Sequence, residues 1–94
     1  MDKKSRIILR SLASSLNPVV WVGKDGFSDN VINQIKDELF NHELIKIALL
    51  ESVPEMNFDD GFASEKLDAE IVTKIGKKIV LYKKSDKKNI KHVI

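Results

Sequence analysis

The chain has 94 residues, 43% hydrophobic and 32% charged, and its net charge of +2 hides an uneven spread: +1 over residues 1–46, −6 over 47–73 and +7 over 74–94. This length holds one core and not two, and the absence of cysteine excludes disulfides, thiolate catalysis and cysteine-ligated zinc. No apolar run approaches the roughly 20 residues that span a bilayer, and Met1-Asp2-Lys3-Lys4 leads into an amphipathic pattern rather than a signal-peptide core, so the expected location is the cytoplasm.

The pattern predicts a helix from Lys3 to about Leu16, with Leu9, Leu12, Ala13 and Leu16 as its apolar stripe and Lys3, Arg6 and Arg10 along an adjacent edge. Asn17-Pro18 closes it, because proline disfavours a helical residue before it. Val19-Val20-Trp21-Val22 then reads as a strand buried on both faces. In such an unbroken apolar run Trp21 is expected in the core, with base stacking as its alternative role.

After Gly23-Lys24-Asp25-Gly26, Ser28 is a candidate N-cap and Asp29 complements the dipole of a helix that runs to about Asn41. Val31, Ile32, Ile35 and Leu39 form its apolar face. Leu44 to Leu50 is a second strand, with Ile45, Ile47 and Leu49 on one face and Lys46, Ala48 and Leu50 on the other. Strand, helix and strand in this order make a crossover unit.

Phe58, Phe62 and Leu67 suggest a third, short helix with Asp59 and Asp60 in its first turn, although Gly61 weakens it by up to about 1 kcal/mol. The acidic pair fits dipole complementation better than a cation site, which needs more oxygen ligands. Glu70–Ile75 and Lys78–Lys83 are two β runs joined by a tight Gly76-Lys77 turn, around which Lys74, Lys77 and Lys78 gather. The tail over residues 84–94 is polar enough to be partly mobile. The expected architecture is α/β (α+β): a single domain over residues 1–94 with its core at about 3–83, ordered α-β-α-β-α-β-β around one mixed sheet.

Catalytic chemistry is not visible. His42 ends a helix, His92 lies in the tail, and no acid, base or nucleophile set surrounds either. Two histidines without cysteine do not make a usual zinc site, and the loop lacks the spacing of a P-loop. The chain is therefore expected to be no enzyme, with no cofactor, metal or small-molecule substrate.

The Gly-x-x-Gly loop offers different chemistry. Glycines at both ends let a sugar-phosphate chain approach the backbone, the following helix presents unpaired N–H groups, and Lys24 adds a positive charge. KH modules clamp single-stranded backbones with such a loop. Asp25 must turn away from the ligand or contact a base or ribose. Phosphate contacts alone carry affinity rather than sequence information, so flanking basic residues are needed. Arg6, Arg10, Lys74, Lys77 and Lys78 are the candidates, with Lys3 on the same helix edge.

The blocks Leu12-Ala13, Leu16-Asn17-Pro18-Val19-Val20, Val22-Gly23-Lys24-Asp25-Gly26, His42-Glu43-Leu44-Ile45-Lys46-Ile47 and Ile75-Gly76-Lys77-Lys78-Ile79-Val80-Leu81-Tyr82 resemble the CRM domain (chloroplast RNA splicing and ribosome maturation) in order and spacing from about Arg6 to Tyr82. Stand-alone bacterial members of that family are called YhbY-like. The resemblance implies a four-stranded mixed sheet with three helices, similar to the C-terminal domain of initiation factor three. It also implies RNA binding through the Gly-x-x-Gly loop and nearby basic residues, and association with precursors of the large ribosomal subunit. By position, Gly23, Lys24 and Gly26 fall in the loop, Arg10 at a commonly basic site of the first helix, and Lys77 in the Ile-Gly-Lys turn. Asn17 stands where lysine is frequent, and Met56 to Leu67 matches the family's third helix poorly.

The leading expectation is a monomeric RNA-binding protein that takes ribosomal RNA of large-subunit precursors. The alternative is a protein–protein adaptor that docks on a ribosomal protein or assembly factor through the acidic stretch Glu51–Glu70.

Overall fold

The computed structural model describes residues 2–23, 26–50 and 59–94. Helix α1 (Lys3–Ala13) begins at Asp2, whose carboxylate accepts the Ser5 N–H at 2.7 Å. That bond lowers the Asp2 pKa from its ordinary value. The helix stops at Ala13, short of the expected Leu16. Ser14 is the reason: both its N–H and its hydroxyl turn back to the Ser11 carbonyl, three residues earlier, which offers the backbone an alternative to another α turn. Within the helix, Leu9 and Ala13 share the buried face four residues apart, while Leu12 lies off it and is 45% exposed.

Strand β1 (Val20–Val22) is followed by α2 (Asp29–His42), and β2 (Leu44–Leu49) completes the crossover. Ser28 caps α2 as the sequence suggests, its hydroxyl accepting the Val31 N–H. Helix α3 (Asp60–Phe62) widens into a π turn over Ala63–Leu67. Asp59 is its N-cap rather than a first-turn residue, accepting the Phe62 N–H at 2.8 Å. Phe62 rests against Phe27 with ring centres 5.1 Å apart, and Ala63 and Leu67 are fully inside. The expected contribution of Phe58 lies outside the described residues. Strands β3 (Glu70–Ile75) and β4 (Lys78–Tyr82) form the hairpin, one residue shorter than the run to Lys83.

The sheet runs β1-β2-β4-β3, with β1 parallel to β2 and the other neighbours antiparallel. Helices α2 and α3 cover one face through Ile35, Leu39, Ala63 and Leu67, which pack on Val20, Val22, Ile45, Ile47, Ile79 and Leu81. Helix α1 covers part of the other, where Leu9 and Ala13 meet Leu44, Val72 and Val80. Alternation along β1 therefore turns Val20 and Val22 inward and Trp21 toward the α1 side. There the edge strand is not covered, and Trp21 is 58% exposed. The expected core position of Trp21 is thus corrected: one face of β1 is buried, and not both. Leu50, just past β2, is likewise exposed.

The tail is held rather than loose. Glu43, at the C-terminus of α2, is fully buried with φ +64. Its carboxylate accepts the Ser85 N–H at 2.6 Å and the Val93 N–H at 3.0 Å, and His92 Nδ1 lies 2.6 Å away. The Ser85 hydroxyl donates to the Phe40 carbonyl at 2.6 Å, and Val93 packs beside the α1 core. Burial pushes the Glu43 pKa up, but the hydrogen bonds from Ser85, His92 and Val93 outweigh it and leave the value below the ordinary 4.5. A folded-state value below the unfolded one means stabilisation that is complete above pH 4.5 and lost as pH falls through the folded value. Glu43→Ala is expected to lower the urea unfolding free energy by roughly 1.5–3 kcal/mol, the range for hydrogen bonds to a charged group. It should also flatten the acid side of the stability–pH curve relative to the parent.

Candidate nucleic-acid interface

Parallel pairing of β1 with β2 and antiparallel pairing of β2 with β4 bring three strand junctions to one end of the sheet. The first is the Gly23–Gly26 loop leaving β1, closed by the Gly26 N–H on the Gly23 carbonyl at 2.9 Å. The second is the exit of β2, where the Leu50 N–H donates to the Val22 carbonyl at 2.9 Å. The third is the Gly76-Lys77 turn, tied to β2 by the Leu49 N–H on the Lys77 carbonyl at 2.7 Å. Gly23, Gly26, Lys77 and Lys78 therefore share one end of the molecule. Lys24 and Asp25 lie outside the described residues.

The two loop glycines differ. Gly26 has φ +66, a left-handed conformation that a side chain disfavours. Gly23 has no such need, and among the described residues a Cβ there would meet only Leu50 Cδ1 at an ordinary 3.7 Å. The fold accommodates a methyl group at residue 23, so its bare backbone is a surface open to close approach.

Strand register extends this end across the α1 side of the sheet. Trp21 is opposite Ala48, Ala48 opposite Lys78, and Lys78 opposite Ile75, giving one row over all four strands. Trp21, Lys78 and Ile75 are exposed. Arg10 borders the same region: with Ser14, Lys46, Thr73 and Ile75 it lines a cleft of about 370 Å³ between α1 and the sheet.

The other predicted basic residues lie elsewhere. Arg6 is pinned at the β3 bulge, its Nη1 donating to both the Ile71 and Val72 carbonyls at 2.9 Å. Lys3 is a turn further from the loop end along α1. Lys74 is opposite Ile79 and thus on the other face of β3, and it lines a small cleft with Arg6, Asp59 and Asp60. Among the described residues no three His, Asp or Glu side chains form a metal-binding group, and no helix is long and apolar enough to cross a membrane.

The sequence reading put Trp21 in the core, with base stacking as its alternative role, and missed Lys46, Leu50 and Ile75 as part of this surface. Trp21 was hidden by its valine neighbours, which erase the alternation that marks a half-exposed strand. Ile75 lies beyond the cover of α1, which only the tertiary arrangement reveals.

Residues 1–83 match the model of the CRS1/YhbY (CRM) domain, and the chain belongs to that family. The Bacillus subtilis protein named "Probable RNA-binding protein YqeI" is 42% identical over 83 residues, covering 87% of this chain and 86% of its own. An "RNA-binding protein" of Haemophilus influenzae is 33% identical over 92 residues, or 96% and 92% of the two chains. The solution structure of the Staphylococcus aureus protein SAV1595, a candidate RNA-binding protein, superposes with a TM-score of 0.70 at 35% identity, covering 95% of this chain and 94% of the other. These relatives are named for RNA binding and not for catalysis.

The placement of Arg6 separates its role from that of Lys78. Arg6→Ala should destabilise the fold by roughly 1–3 kcal/mol through two unsatisfied, part-buried carbonyls, whereas Lys78→Ala, on the exposed surface, should change stability by less than about 0.5 kcal/mol. Urea unfolding of the two variants measures the difference.

Proposed function

We propose that this chain binds RNA at the loop end of its sheet, and that the RNA is ribosomal, within precursors of the large subunit. One observation carries the reading: the strand order gathers a glycine-gated backbone, Lys77, Lys78 and the flanking Arg10 at a single end. A polyanion can lie there against several cations and backbone N–H groups at once, which is how phosphate contacts build affinity. Lys24 and Asp25 complete the loop in sequence. Lys3, Arg6 and Lys74 stand away from this end, with Arg6 holding the β3 bulge. The relatives named for RNA binding support the ligand class. The family resemblance, with ribosome maturation in its name, supports the ribosomal target.

Gly23→Ala is the sharpest test, because the methyl group fits the folded chain yet stands where a backbone would approach. The variant should fold with parental stability and bind ribosomal RNA about tenfold more weakly, with Lys24→Glu weakened at least as much. If both folded variants bind as the parent does, the loop is not the interface. Contacts from Arg10, Lys24, Lys77 and Lys78 should give a log–log salt dependence with a slope of about −3 for a single strand. Sedimentation of the tagged protein with ribosomal particles, before and after ribonuclease, checks the target: an RNA binder leaves on digestion, whereas an adaptor stays with protein.

A further inference from the structure

We propose that Trp21 is a stacking platform for an unpaired nucleobase, so that the chain engages single-stranded RNA beside its phosphate-binding loop. This inference rests on the RNA-binding reading and adds to it the form of RNA that is taken.

Trp21 is the largest side chain on the exposed part of the sheet, 58% accessible, and strand pairing sets its backbone position. Val20 and Val22 are anchored in the core on either side of it, and backbone pairing with β2 fixes the strand. Its neighbour across the strand pair is Ala48, a methyl group that leaves the indole uncovered. The next residue in the row is Lys78, two strand spacings or about 10 Å from Trp21. Gly23 follows Trp21 by two residues on the same chain. An exposed indole between an open backbone on one side and a cation on the other matches a nucleotide, whose base is apolar on its faces and whose phosphates are charged.

Charge distinguishes this ligand from an apolar protein surface. The row places Lys78 between Trp21 and Ile75, and Arg10 and Lys46 flank its α1 side. A purely apolar partner would have to bury those cations without compensation, whereas an RNA strand pairs them with phosphates. Duplex RNA cannot use the indole, because its bases are already stacked on each other and its deep groove is closed to side chains. Single strands expose the faces of their bases, and aromatic platforms bind them with little regard to sequence.

The chain contains a single tryptophan, so its emission reports on this site alone. The intact protein is titrated with an oligouridylate strand and, separately, with a fully paired RNA duplex, following emission and the bound fraction by gel mobility. The single strand should quench emission strongly and the duplex should not. Trp21→Ala should weaken oligouridylate binding about tenfold and leave duplex binding and the salt slope unchanged, with Trp21→Phe retaining most of the affinity. If the parent binds both RNAs but emission is unmoved and Trp21→Ala binds oligouridylate equally well, stacking is overturned while RNA binding stands. If the parent binds neither RNA, the RNA-binding reading fails and the inference falls with it. If Trp21→Ala instead abolishes attachment to ribonuclease-treated particles, Trp21 belongs to a protein interface and stacking is again overturned.

Discussion

Strand β2 is the constraint on which the rest of the molecule depends. Among the described residues it is the only strand flanked by a parallel neighbour on one side and an antiparallel neighbour on the other. The parallel pairing with β1 demands a return path over the sheet, which α2 supplies, and so the loop leaving β1 must sit at the far end of β2. The antiparallel pairing with β4 brings the hairpin turn to that same end. Five of its six residues are buried, because α2 and α3 press on one face and α1 on the other. Lys46, the exception, emerges at the margin of α1.

The opposite end of β2 is secured by different chemistry. Glu43 adopts an uncommon backbone conformation at the α2–β2 junction, and its carboxylate gathers the N–H groups of Ser85 and Val93 together with the His92 ring. A buried carboxylate tolerates burial only when it accepts enough hydrogen bonds. Two regions of unlike stability logic thus lie at the two ends of one strand: a polar lock at its start and an open, basic surface at its finish.

Much of this was legible from residue spacing. The element order, the Ser28 cap, the crossover and the Gly76-Lys77 hairpin follow from local chemistry that acts over a few residues. The failures share a cause in long-range packing. Trp21 is exposed because α1 covers the centre of the sheet and not its β1 edge, and nothing in Val19–Val22 encodes that cover. Arg6 looked like a surface cation, but a bulge formed 65 residues later in the chain supplies the carbonyls that hold it. The tail looked mobile by composition, and Glu43, unremarkable in sequence at a helix end, turned out to be its anchor.

The brevity of β1 limits what its outer edge can pair with. A bare sheet edge invites pairing with another edge, and an exposed tryptophan would deepen that attraction. Here Pro18 precedes the strand, Gly23 follows it, and only Val20 to Val22 present extended backbone. A foreign strand gains at most three residues of ladder, too little to nucleate a continuous sheet. The molecule can thus keep an aromatic surface open to solvent at its edge without that edge becoming a template for self-association.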